Sequence, residues 1–203
     1  MQNINNIDHI NEKIKKIAKE IEPELISIRR ELHQYPELGI NLPKTHDIIS
    51  RELYKIPNLT IREHMAGGCG IIAELQGKKP QGKNLLLRAD IDALPLEEKA
   101  VNDYRSKYPG CMHACGHDGH ATWLIGAAKI LARLTDEFGG CIRFAFQPGE
   151  EVGLGADTSI KEDKVLENPK IDMACGTRMA VGRKRKNWNC KKICIWLCRR
   201  IQG

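Results

Sequence analysis

Three short segments of this chain concentrate groups able to bind a cation or move a proton. The densest is Met112-His113-Ala114-Cys115-Gly116-His117-Asp118-Gly119-His120, with three imidazoles, a thiol and a carboxylate in nine residues. Thiolate sulfur and imidazole nitrogen together suit a borderline metal such as zinc, and the glycines let the backbone fold tightly around an ion. The competing reading is a His-rich helix cap, because the segment opens a helix whose N-terminus also favours a thiolate. Arg88-Ala89-Asp90-Ile91-Asp92-Ala93-Leu94-Pro95 sets two carboxylates just after an apolar run, although Asp is equally a turn former. In Gln147-Pro148-Gly149-Glu150-Glu151, adjacent carboxylates can divide the work, one on a metal and the other handling protons. Singly it reads as a surface turn; the three segments in this order carry the inference.

Such groups need rigid elements to hold them. Ile4, Ile7, Ile10, Ile14, Ile17 and Ile21 recur at three- and four-residue steps and predict an amphipathic helix. Pro23 suits the first turn of a second helix through Leu25, Ile28 and Leu32. A third is expected from Pro43 through Leu53 and Tyr54. The short apolar runs 69–75, 84–88 and 141–147 predict strands, with a hairpin or loop at 77–82. A long apolar helix is expected from about His120 to Leu134. Alternating strands and helices predict an α/β fold, a layered sheet flanked by helices. Two of the three reactive segments directly follow a predicted strand, and the carboxyl ends of strands are where sites gather in open α/β sheets.

The net charge of +6 misdirects. Nine of the 32 basic residues and none of the 26 acidic ones lie at 177–203, which leaves 23 basic groups against 26 acidic ones in residues 1–176. A nucleic-acid role would therefore rest on the last 27 residues alone. The chain opens on a polar segment with no leader pattern, and no apolar run approaches the roughly 18 residues that a spanning helix needs. Several of the eight cysteines sit singly in apolar or motif-like segments, so a reducing, cytoplasmic setting is expected rather than a disulfide framework.

From Glu24 to Gly176 the chain resembles the zinc- or manganese-dependent amidohydrolases that include hippurate hydrolases, aminoacylases, N-acetyldiaminopimelate deacetylases and plant auxin-conjugate hydrolases. The resemblance rests on Arg29-Arg30-Glu31-Leu32-His33-Gln34-Tyr35-Pro36-Glu37-Leu38-Gly39, the three segments above and Val165-Leu166-Glu167-Asn168-Pro169-Lys170-Ile171-Asp172. It implies a zinc-exopeptidase-like catalytic domain, with Cys115, His117 and Glu151 as metal ligands. It implies that Glu150 is the general base, in a partly dry site, and Asp92 the catalytic aspartate that orients a ligand. Asp90 matches a ligand position of more distant relatives and receives no such role, while His113 and His120 shape the loop. Intact relatives hold two divalent ions per site, act on small N-acyl amino acids and form homodimers through a lid domain inserted further on.

In the family, the stretch after Asp172 continues to Gly-Leu-His-Val-Trp-Pro, whose His is another ligand; here Cys175-Gly176-Thr177-Arg178-Met179 follows. Codons permitted for Thr177 to Arg183, read one nucleotide forward, give His-Val-Trp-Pro-Ser-Glu. Residues 1–176 are thus expected to be a partial catalytic domain and 177–203 an out-of-frame, disordered tail. With the lid and dimerisation domain missing, weak metal retention and little hydrolysis are expected. Two rivals stand beside this reading: a non-catalytic metal-binding fragment, and a basic nucleic-acid-binding module built on Arg183-Lys184-Arg185-Lys186.

Overall fold

A computed structural model describes residues 2–178 and the strand at 194–200. Four helices, α1 (Gln2–Gln34), α2 (Pro43–Leu53), α3 (His117–Ala132) and α4 (Gly155–Lys161), accompany six strands. These are β1 (Leu59–Met65), β2 (Gly70–Gln76), β3 (Leu85–Asp90), β4 (Cys141–Gln147), β5 (Met173–Arg178) and β6 (Cys194–Arg200). The sheet runs in the order β1-β2-β4-β3-β5-β6. Its centre is parallel, β4 with β3 and β3 with β5, and the remaining pairings are antiparallel.

The period-two alternation of β4 splits its side chains between two apolar layers. Phe144 and Phe146 join Ile71, Ala73 and Leu75 of β2 against Ile28 and Leu32 of α1, Ile49 and Leu53 of α2, and Ile125 and Ala128 of α3. Ala145 faces the other way with Ile72, Leu86, Val165 and Ile171. Each fully buried Phe contributes about 2–3 kcal/mol by leaving water.

Pro23 does not begin a new helix. It lies inside α1, where a proline costs about 3 kcal/mol. Tertiary contacts on both sides offset that cost: Glu20 pairs with Arg133 at 2.8 Å and Glu24 with Lys129 at 2.6 Å, while Ile21, Ile28 and Leu32 are buried. The segment 77–82 is a loop rather than a hairpin turn, because β4 inserts between β2 and β3. Gly82 crosses Gly139 so closely that a Cβ would lie 2.0 Å from that backbone. The strand β1 and the short helix α4 went unread, although Leu59, Ile61 and Met65 alternate with Thr60, Arg62 and His64 as an edge strand should.

Cys69, Cys111, Cys115, Cys141 and Cys175 form no disulfide. No described helix is long and apolar enough to cross a membrane. Of the tail expected at 177–203, residues 179–193 and 201–203 lie outside the described residues; Cys194–Arg200 pairs antiparallel with β5 as an edge strand.

Candidate metal centre and active site

Parallel pairing of β3 with β4 puts Asp90 beside Gln147 at the ends of their strands. The two chains therefore leave the sheet on the same edge, and their loops meet. Ile91 N–H donates to the Gln147 carbonyl at 3.0 Å. The Asp92 carboxylate then accepts two backbone bonds, from Glu150 N–H at 3.1 Å and from Glu151 N–H at 3.0 Å. With its side chain fully buried, Asp92 fixes the turn that presents the paired glutamates.

The third segment arrives through Gly116, whose φ of 80° caps α3 in the left-handed region, where a glycine bears no steric penalty. The first helical residue is His117, 4% exposed. Its Nδ1 lies 2.8 Å from the Asp92 carbonyl; a carbonyl only accepts, so Nδ1 carries the hydrogen and Nε2 is left to act as a ligand. That Nε2 faces Glu151 at 3.7 Å, Glu150 at 3.9 Å and Asp90 at 3.5 Å. Burial opposes a charge on this imidazole, but the bond to Asp92 and the nearby Asp90 outweigh it and hold its pKa above the ordinary value.

Donor atoms of Cys115, His117 and Glu151 all lie within 4.8 Å of one another. One oxygen of Glu151 is buried without a hydrogen-bond partner, which is costly unless a cation or a ligand completes it. That orphaned oxygen, with a thiol and an imidazole beside it, fits a divalent ion. Asp90, His117 and His120 form a second group of the same compactness. There the Asp90 oxygens are already engaged, one by His120 Nδ1 at 2.5 Å and the other by Arg88 at 2.7 Å. Glu150 is the open member of the set at 44% exposure.

These groups line a cavity of about 640 Å³ that also takes in Arg29, His33, Glu98, Tyr104 and His113. Arg29 and His33 belong to the motif at 29–39, which by itself implies no role for either. Only His33 of the two is buried, while the Arg29 side chain is 32% exposed; a histidine one residue from the apolar Leu32 on an amphipathic helix is the signal for it.

Residues 86–186 match the sequence profile of peptidase family M20/M25/M40. An N-acyl-L-amino acid amidohydrolase of Geobacillus stearothermophilus is 37% identical over 168 residues, which are 83% of this chain and 44% of that protein. The chain belongs to the M20 family. An N-acetyl-L-cysteine deacetylase of Bacillus subtilis is 45% identical over 165 residues, 77% of this chain and 39% of that protein. Among solved structures, the YXEP protein of Bacillus subtilis, described as a dinuclear metal-binding peptidase of family M20, superposes with a TM-score of 0.74 at 37% identity. That superposition covers 80% of this chain and 44% of YXEP. The chain thus spans about two fifths of the length of these M20 relatives. All three reactive segments fall within the family match, whose members are metal-dependent hydrolases.

Proposed function

We propose that this chain carries the metal-binding portion of an amidohydrolase acting on small N-acyl amino acids, with much reduced turnover. The observation that supports it most is the Asp92 carboxylate, which sets Glu150 and Glu151 opposite His117 through two backbone bonds. Cys115, His117 and Glu151 would hold a divalent ion, and the thiolate favours zinc over manganese. Such an ion supplies Lewis acidity toward a carbonyl and lowers the pKa of water. Glu150, within reach of the same space, takes a proton from the attacking water and returns it to the leaving amine. Asp92 orients His117 and holds the glutamate turn. Three protein donors suit one ion with an open position, whereas a two-ion site needs more.

The same reading keeps the work in the cytoplasm and gives nucleic acid no part, in line with the acidic balance of residues 1–176. A non-catalytic metal-binding role is the second reading, favoured by the solvent exposure of Glu150. Zinc and manganese titrations by calorimetry, followed by assays on a panel of N-acyl amino acids, separate the two. The expected outcome is about one ion per chain and slow hydrolysis that Glu150→Gln abolishes without altering metal affinity. Binding with no hydrolysis selects the second reading, and metal affinity unchanged in Cys115→Ser and Glu151→Gln removes both.

A further inference from the structure

The cavity has a second wall built away from the candidate ligands. Leu94 and Met112 exchange backbone hydrogen bonds at 3.0 and 3.1 Å and close the base of an irregular loop, residues 95–111. This loop docks on the C-terminal end of α1: Lys107 N–H donates to the Gln34 carbonyl at 2.8 Å, and Gln34 Nε2 donates to the Asp103 carbonyl at 3.2 Å. Between loop, α1 and α3 lies His33, 6% exposed. Its Nδ1 is 2.7 Å from Asp118 Oδ2 on α3, and its Nε2 is 3.2 Å from Glu98 Oε1 on the loop.

We propose that His33 is a positioning residue that works as a charged latch, protonated at both ring nitrogens and tying Glu98 of the cavity loop and Asp118 of α3 to α1. A carboxylate only accepts, so both bonds form only if both nitrogens donate. The remaining neighbours fit this charge state. Asp118 Oδ2 also meets Arg29 Nε at 2.8 Å, and the Tyr104 ring packs edge-on at 5.6 Å. His113 lies at 6.5 Å between ring centroids. Two carboxylates against His33 and Arg29 leave the buried group neutral. A neutral His33 would leave one excess negative charge and turn a lone pair toward an oxygen. The second carboxylate oxygens extend the latch: Asp118 Oδ1 accepts Gly119 N–H at 2.9 Å in the first turn of α3, next to His117. Glu98 Oε2 accepts Ser106 N–H at 2.7 Å across the loop.

The bond to Asp118 holds the His33 pKa above its ordinary value against the cost of burial. A raised value means that the latch is fully made below the ordinary histidine range and is lost as pH rises through the folded value. Its readouts need neither metal nor substrate, so failure of the hydrolase reading leaves it testable.

The test is nitrogen-resolved NMR of the His33 ring in the full chain, with hydrogen-exchange protection of the Ser106 and Gly119 amides followed against pH. Both ring nitrogens should be predominantly protonated at the pH where a free histidine is half charged, and Ser106 protection should fall about tenfold as His33 deprotonates, the change for one charge-assisted bond. His33→Gln should lower protection of both amides and flatten the pH response. Glu98→Gln, which leaves the Asp118 side in place, should loosen Ser106 alone and serves if His33→Gln does not fold. A bare ring nitrogen predominating at that pH, or a wild-type pH response of Ser106 protection surviving in either variant, overturns the latch.

Discussion

The Asp92 carboxylate receives the backbone N–H of Glu151 at 3.0 Å, and its other oxygen receives that of Glu150 at 3.1 Å. The same residue's carbonyl lies 2.8 Å from Nδ1 of His117. Asp92 thus governs where the His117 imidazole and two glutamates stand, while its own oxygens are occupied by amides.

Asp92→Asn should therefore weaken metal binding. One of the two amides would meet an NH₂ group instead of an oxygen, and two donors cannot pair. Loss of such an outer contact typically weakens metal affinity about 10- to 100-fold. Calorimetric titration with zinc measures it; an unchanged affinity would show that the glutamate turn is held by other means.

Acid should destabilise the metal-free chain through His113. This imidazole is 4% exposed, and neither ring nitrogen has a hydrogen-bond partner. Burial pushes its pKa down from 6.5 to about 4. Between those values the unfolded chain binds the extra proton, so stability falls as pH drops from 6.5 and this loss levels off near 4. The full effect is about 3 kcal/mol. His113→Leu should remove that part of the acid response in urea unfolding, and parallel pH profiles for the two proteins would refute the assignment.

Arg143 should matter to stability and not to the metal. Its side chain is fully buried in β4 and donates to Glu74 at 2.6 Å and to the carbonyls of Val165, Glu167 and Asn168 at 2.6, 2.9 and 3.0 Å. Arg143→Met leaves a carboxylate and three carbonyls without a donor, a loss of about 3–5 kcal/mol. Thermal unfolding reads the cost, and a shift in zinc affinity of the folded variant would contradict the separation.

The reading frame after Gly176 is open to a direct check. Nucleotides across codons 174–190, translated one base forward, should give His-Val-Trp-Pro-Ser-Glu in place of Thr177 to Arg183. Two independent reads with different codons there would end the frameshift proposal.

By itself the sequence determined the kinds of element and the chemistry they carry. The runs that became β2, β3 and β4 and the apolar stretch that became α3 are local patterns, and periodicity is a local property. The proximity of Cys115 and His117 was legible for the same reason: they share one segment. Only the tertiary structure decided what that chemistry faces. The bonds from Asp92 to Glu150 and Glu151 span 58 and 59 residues, and the His33–Asp118 bond spans 85. The first two meetings follow from the parallel pairing of β3 with β4, and the third from the packing of α1 on α3, arrangements set by burying both faces of a central strand against distant segments. Other distant contacts, Glu20 with Arg133 and Glu24 with Lys129, carry α1 through Pro23, where the local signal favoured a break.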